Sequence, residues 1–539
     1  MANSSDLARL VKFHNSGVEL SFTTRPQDKH VTPTQQPWPS LTPPFIRLTL
    51  IGIITQIIYV IYIVAFPLIS NTQAGGPAAD LEILMRDYRW FAPIYALGIF
   101  LLYYLFWQAI RIVATAGTQE PGDTFQVSRL KLLILTFGLL FGFTLVWLYP
   151  ITANDLFRYV LRGRVWAIYG ESPMLVPPNN FPNDPYIAFA GEFGNWVSGY
   201  GPLWEILVQA PLRLGATNMV PGAISLKLIV LLGYLVCAVL LGWFSNPDHS
   251  SSSKDSSLIA LTFFAWNPLI LIQGPGNGHN DLLFMTLIVL GIILWKRNLW
   301  WAATLALTLS VLAKATALLI IPLFAVVLLR SQPTWRQRIL KGLGAAFLGL
   351  VTIYLGYSLL GPVSETLHGV TAMLSTRRGF AIASEVRMIL REVLSWEVAE
   401  TLPRSTARYI FICFYAWLLL QLWRKKLTLV TAGFLAYFSQ LMLGRTFRIW
   451  YPMWLIPFAA LHLTPATFWR TFLFGLTAEL SIINYFVVWR WWLRDLPWEK
   501  LGLSTTLYYW PVMHTLTVPW LFGLPLFGPV IIKWWQRRT

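Results

Sequence analysis

The chain has 539 residues, of which 56% are hydrophobic and only 12% charged, with 27 Trp and 34 Phe. This composition excludes an ordinary soluble domain and points to a polytopic membrane protein. The net charge of +17 does not imply a nucleic-acid partner, because the Lys and Arg residues gather at the ends of apolar runs, as topology determinants do. Cys237 and Cys413 both lie inside apolar runs, which leaves no disulfide framework and no Cys-based metal cluster.

In chain order, residues 1–44 are polar and Pro-rich, without the basic, apolar, small-residue order of a signal peptide. They read as a disordered cytoplasmic tail ahead of a single membrane domain, residues 45–539. Apolar runs able to cross a bilayer need roughly 17 to 25 residues. Such runs are predicted at about 48–69, 91–110, 132–150, 226–244, 258–273, 281–295, 299–313, 315–330, 342–361, 408–423, 427–443, 450–465, 470–489 and 512–532. The fold class is therefore all-α and integral to the membrane, with about fourteen crossings. Several runs are shorter than a perpendicular span, which implies helices that borrow residues from loops or are broken at depth. With both termini in the cytoplasm, the short loops on that side carry Arg111, Arg129 and Lys131, Lys254, Lys296 and Arg297, Arg330 to Lys341, and Arg424 to Lys426. Every strong basic cluster at a short loop then obeys the positive-inside rule. The outer side receives a long first loop at about 150–225, then GPGNGHND (274–281), a loop at about 362–407, GRTFRIWY (444–451) and RWWLRDLPWEK (490–500). The polar chemistry of the chain thus faces outward from the cytoplasmic membrane.

The stretch YPITANDLFRYVLRGRVWAIYG (149–170) predicts an amphipathic helix from Asp155, starting where the third run leaves the bilayer. Thr152, Asn154 or Asp155 can cap it. Asp155, Tyr159, Arg162 and Trp166 recur at i, i+4, i+7 and i+11 and so share a face. That face combines a carboxylate, a cation and two aromatic rings, the mixture that a carbohydrate site needs. The same residues also read as a capping aspartate with an i, i+3 partner in Arg158 on an interfacial helix, and spacing alone does not decide between the two.

Further along come an N-D-P-Y (183–186) and Y-G-P-L-W (200–204), then WNPLILIQGPGNGHNDLLF (266–284) and LAKATALLIIP (312–322). Together with Asp155, Tyr159 and Gly163, this ordered set resembles the GT-C fold glycosyltransferases that use lipid-linked sugars. It is most similar to the bacterial polyprenyl-phosphate-mannose-dependent α-mannosyltransferases, with glycosyltransferase family 87 close to them. The resemblance covers roughly residues 130 to 330, and beyond that only the pattern of apolar spans is similar. It implies a sugar donor on a polyprenyl monophosphate, a glycan or glycolipid acceptor, reaction at the outer leaflet, and no cofactor. It also implies that Asp155 is the general base, which takes the proton of the acceptor hydroxyl while phosphate departs from the opposite face with inversion.

A departing phosphate needs cations. Candidates are Lys314, Arg377, Arg378, Arg387, Arg391, Arg445 and Arg448, all outer in this topology. Lys314 lies between two short apolar runs, where an ammonium must snorkel or pair with an anion. Arg445 and Arg448, at i, i+3 beside aromatics, are expected on one side of a helical turn, where they suit either a lipid phosphate or an anionic headgroup. His279, Asn280 and Asp281 read as helix capping, as hydroxyl binding by donor or acceptor, or as part of a metal site whose further ligands the sequence does not supply. No metal is expected. Asp184, Glu192 and Glu205 are reserve carboxylates, with Glu205 an alternative base or sugar partner, and Tyr200 joins the substrate-binding set. The 362–407 loop, with His368 and Glu385, is expected to form helices over the first outer loop. The main alternative is a transporter or flippase of lipid-linked sugars, which would place its polar groups near the midplane. Their concentration at outer ends favours an enzyme working from one side.

Overall fold

The computed structural model describes residues 43–72, 91–119, 124–244, 251–367, 381–484 and 505–536. The predicted amino-terminal tail lies outside these residues except for its last two positions, which open the first helix, α1 (Pro43–Ala65). The helices that follow are α2 (Phe91–Gln119), α3 (Thr124–Leu145), α4 (Asp155–Ala167), α5 (Pro202–Arg213) and α6 (Met219–Val239). Next come α7 (Ser251–Ala265) and the one-turn α8 (Pro268–Leu271), which runs into a π turn at Ile272–Gly276, then α9 (Asp281–Lys296), α10 (Trp300–Ala313), α11 (Ile321–Arg330) and α12 (Trp335–Ser358). The chain ends with α13 (Ile382–Leu390), α14 (Trp396–Trp423), α15 (Leu429–Leu443), α16 (Ile456–Leu461), α17 (Pro465–Ile483) and α18 (Thr505–Gln536). Among the described residues there is no strand, and Pro67 and Leu148 form an isolated antiparallel bridge. The protein is an all-α, polytopic membrane bundle.

In their described residues, which end at 484 for the 470–489 run, all fourteen predicted runs overlap helix, but the number of crossings is not thereby fixed. Among the described residues seven helices are long and apolar enough to span, and an eighth is gained if the pair Ser256–Ala265 and Pro268–Gly276, bent by 48°, counts as one broken span. The bend has a local cause. The Asn267 side chain accepts from the amide of Leu269 at 3.1 Å, and Pro268 and Pro275 remove two helical donors. The short helices α10, α11, α15 and α16 sit in the interior, whereas α12 and α14 present long apolar faces outward, as lipid-facing helices do.

The segment between α3 and α4 is held by a dense set of hydrogen bonds. Leaving the helix, residues 146–154 have backbone carbonyls that lipid cannot satisfy. The wholly buried Lys227 of α6 places its ammonium among the carbonyls of Val146 (3.1 Å), Leu145 (3.5 Å) and Leu148. Tyr149 donates its amide to Phe66 at 2.8 Å, and Leu68 donates to Trp147 at 2.9 Å. A side-chain network then fixes Thr152. Its hydroxyl donates to Gln273 Oε1 at 2.9 Å and accepts from Asn277, and Gln273 donates to the buried carboxylate of Glu479 at 2.9 Å, which also accepts from Tyr95 at 3.1 Å. These bonds set the point and angle at which α4 begins.

The loop after α4 is closed by Asp184. Its carboxylate pairs with Arg164 at 2.8 Å and accepts from Tyr169 Oη at 2.8 Å and from the Tyr186 amide at 2.9 Å. Asp184, a reserve base on sequence grounds, is thus fully engaged in folding the loop. Because both partners are nearly buried, removing one strands the other charge. Asp184→Ala is expected to cost about 3–5 kcal/mol of stability, read as a fall in the thermal unfolding midpoint in detergent with early proteolysis between residues 170 and 200. An unchanged midpoint would show that the loop does not depend on the pair.

Candidate active site

As predicted, α4 starts at Asp155. Asn154 occupies the cap position without a side-chain capping bond, and Asp155 pairs instead with Arg158 at 3.0 Å. The pair borders a cleft of about 160 Å³ lined by Thr152, Asn154, Asp155, Arg158, Arg162, Phe193, Tyr200, Arg448 and Trp450. One partly exposed carboxylate therefore faces the same space as three guanidinium groups. The rings needed to hold these cations are supplied locally: Arg158 lies over Phe193 at 3.8 Å and Arg162 over Tyr200 at 5.7 Å. Arg162, though only 3% exposed, also bears on the buried Glu205 beneath it.

Glu205 does not reach the cleft. It is buried in the first turn of α5 and accepts from Ser198 Oγ at 2.5 Å. Burial pushes its carboxyl above the ordinary range, while Arg162 and the Ser198 hydroxyl pull it down. Tyr159 is buried as well. Its hydroxyl donates to Tyr200 at 3.2 Å and its ring meets Tyr200 and Trp204 edge to face, so it supports the cleft wall from behind. Trp166 lies apart, packed near Met174 and Leu312 with Arg213 over its ring at 5.7 Å. The spacing of 155, 159, 162 and 166 correctly gives one helical stripe, yet eleven residues carry it about 16 Å along the axis, beyond the reach of one cleft.

The Gly-His-Asn-Asp stretch and Lys314 do converge on this region. Gly278, in the left-handed region at φ 76°, makes the turn that brings His279 against Trp450 and leads into α9 at Asp281. Lys314 ends α10 in an extended conformation and pairs with Asp281 at 2.7 Å, to which Trp454 Nε1 also donates at 2.6 Å. Its ammonium is ringed by Tyr200, Tyr451 and Trp454 at 5.6 to 5.9 Å. Of the two alternatives for Lys314, pairing rather than snorkelling is observed. Gly201 of the Y-G-P-L-W motif abuts the Leu312 carbonyl so closely that a Cβ would lie 2.0 Å from the oxygen. That contact joins the loop between α4 and α5 to the end of α10 and brings Tyr200 over Lys314.

His279 is wholly buried with its ring stacked on Trp450 at 3.8 Å. Burial pushes its imidazole down to about 4, against the upward pull of Asp155 and Asp281. Among the described residues no three His, Cys, Asp or Glu side chains converge as metal ligands would.

Arg448 lines the cleft, whereas Arg445 is exposed outside it. The expected helical turn is not formed there, because Gly444 ends α15 with an extended backbone and the chain stays irregular to Trp450. Arg387 and Arg391 both pair with Glu400, at 2.8 and 3.3 Å, and α13 packs on α14 and α18. His368, Arg377, Arg378 and the 490–500 stretch lie outside the described residues, and the Glu192 side chain does too. Sequence reasoning missed Phe193 and Trp450 as cleft walls, and it assigned Arg158 only to a helix-surface pair.

The depressed imidazole makes stability pH-dependent. In the unfolded chain His279 takes up a proton near its ordinary value of 6.5, in the folded protein only near 4. Between these values the unfolded state binds more protons, so the stability contribution is complete above about pH 6.5 and lost as the pH falls toward 4. The full effect is about 3 kcal/mol. Thermal unfolding across this range should be flatter for His279→Phe than for the wild type, and identical slopes would contradict the assignment.

Residues 63–330, almost half of the chain, match the family model described as MptA_B family, Alpha-(1->6)-mannopyranosyltransferase, N-terminal domain. The chain is 26% identical over 229 residues to alpha-(1->6)-mannopyranosyltransferase A of Mycobacterium tuberculosis, covering 41% of this chain and 43% of that protein. With the enzyme of the same name from Corynebacterium glutamicum it is 23% identical over 357 residues, 59% of this chain and 71% of that protein. The aligned stretch thus spans less than half of the mycobacterial protein and about seven-tenths of the corynebacterial one. No solved structure matches. The matched span contains α4, the Gly-His-Asn-Asp turn and Lys314, and by residues 63–330 the chain is a relative of the alpha-(1->6)-mannopyranosyltransferases.

Proposed function

We propose that the protein is an inverting mannosyltransferase that moves mannose from a polyprenyl-phosphate donor to a glycan or glycolipid acceptor at the outer face of the cytoplasmic membrane. The observation that carries this reading is the cleft itself, where Asp155 stands with Arg158, Arg162 and Arg448 beside aromatic walls. The printed names of the relatives support the sugar, and the outward concentration of polar residues supports the side.

In this reading Asp155 accepts the proton of the acceptor hydroxyl as its oxygen bonds to the anomeric carbon. The bond from that carbon to the phosphate oxygen breaks in the same displacement, and the polyprenyl phosphate leaves with its charge held by the arginines. The Asp155–Arg158 pair at 3.0 Å is then a resting arrangement. An arriving phosphate competes for the Arg158 guanidinium and leaves the carboxylate to the acceptor. Lys314, already paired with the buried Asp281, serves to hold the floor of the site rather than the donor.

The transporter reading has one observation in its favour, the buried Glu479 inside the bundle. That carboxylate is, however, already bonded to Gln273 and Tyr95.

In membranes with matched expression, the wild type is expected to transfer radiolabelled mannose from polyprenyl-phosphate-mannose to a glycolipid acceptor pool. Asp155→Asn should lower the rate by about 10²–10⁴, and Arg448→Gln should chiefly raise the KM for the donor. Full activity in Asp155→Asn would remove that residue from the role of base. Flipping of the lipid-linked sugar without transfer by the wild type would favour the transporter.

A further inference from the structure

Directly behind the cleft lies a set of polar groups that the reaction as described does not use. His279 and Asn280 are 0% and 1% exposed, and neither ring nitrogen of the one nor either amide atom of the other has a partner. The adjacent Asp281 leaves one carboxylate oxygen unpaired, while its other oxygen is held by Lys314 and Trp454. Buried side-chain polar atoms are overwhelmingly hydrogen-bonded, so five unpaired atoms on three successive residues call for an explanation. The indole of Trp450, which lines the cleft that Asp155 faces, is stacked on the His279 ring at 3.8 Å and so joins this set to that space.

The geometry points to a subsite for the hydroxyl groups of a pyranose ring, formed by His279 and Asn280 and closed by Trp450. It rests on the transferase reading for the identity of the sugar. The chemistry selects this ligand class. A neutral imidazole offers one donor and one acceptor, and a carboxamide offers both as well, so the two residues match adjacent hydroxyls, each of which gives and takes a hydrogen bond. An anion has no cation of its own here, because Lys314 is committed to Asp281, and a metal lacks its ligands among the described residues. The indole supplies the flat apolar face against which a sugar ring packs, so entry exchanges a ring–ring stack for a ring–sugar stack. The lock of Asp281 by Lys314 and Trp454 then positions the turn that carries Asn280, which makes Asp281 a positioning residue.

The test uses full-length protein in detergent, with methyl α-mannopyranoside as the probe in saturation-transfer NMR. His279→Phe keeps the ring on Trp450, and Asn280→Leu keeps the volume. Since the groups removed have no partner within the protein, both variants should unfold at or above the wild-type temperature. Each should bind the probe about tenfold more weakly. Unweakened binding in both variants, no binding by the wild type, or a clear fall in unfolding temperature would each overturn the subsite.

Failure of the subsite and failure of the transferase reading are separable. Mannose transfer by the wild type with unweakened probe binding in both variants removes the subsite alone. Absence of transfer alongside variant-sensitive probe binding removes the transferase alone. Where transfer is measured, a rise confined to the acceptor KM assigns the subsite to the acceptor sugar, and a rise confined to the donor KM assigns it to the transferred mannose.

Discussion

A backbone that leaves a helix inside an apolar bundle must find hydrogen-bond partners there, and the way this chain meets that requirement fixes its candidate site. Lys227 satisfies the carbonyls at the end of α3, and the Thr152–Gln273–Glu479 network holds the next turn. Asp155 follows three residues later, at the first position of α4. Among the described residues the buried ammonium of Lys227 meets no counter-charge and is stabilised by the dipoles of several converging carbonyls. The carboxylate that faces the cleft is thus positioned by groups that never touch it.

Charge is arranged in two layers. The cleft carries three guanidinium groups against one carboxylate, a surplus suited to an anionic group that arrives and departs. Beneath it, Lys314 and Asp281 cancel one another in a buried pair enclosed by Tyr200, Tyr451 and Trp454. The upper layer is open to exchange partners, as the Asp155–Arg158 pair already does within it, and the lower layer is fixed. Between them stands Trp450, which lines the cleft on one side and stacks on the buried His279 on the other.

Much of this was legible in the sequence, for physical reasons that differ by element. The apolar runs announced all fourteen helical segments because lipid and core impose the same demand on composition, and for that reason they could not fix which short ones cross. The start of α4 was legible from Asn154 and Asp155 at the end of an apolar run. The partnership of Lys314 with Asp281 was not, since the pair is 33 residues apart and formed by two helix ends meeting. Lys227 and Glu479 carry no local signature, because each looks like a stray polar residue until the carbonyls or amides around it are in place. Arg448 was found as a cation but in the wrong local structure, and Trp450, two residues on, was hidden among 27 tryptophans.

The central claim is that the reacting phosphate and the base share the α4 cleft. A cryo-EM structure of the protein with a non-hydrolysable polyprenyl-phosphate-mannose analogue tests it most directly. The account predicts the phosphate among Arg158, Arg162 and Arg448, with the Asp155 carboxylate released from Arg158 and facing the anomeric carbon from the opposite side. A phosphate bound elsewhere, with the Asp155–Arg158 pair intact and remote from the sugar, would contradict it.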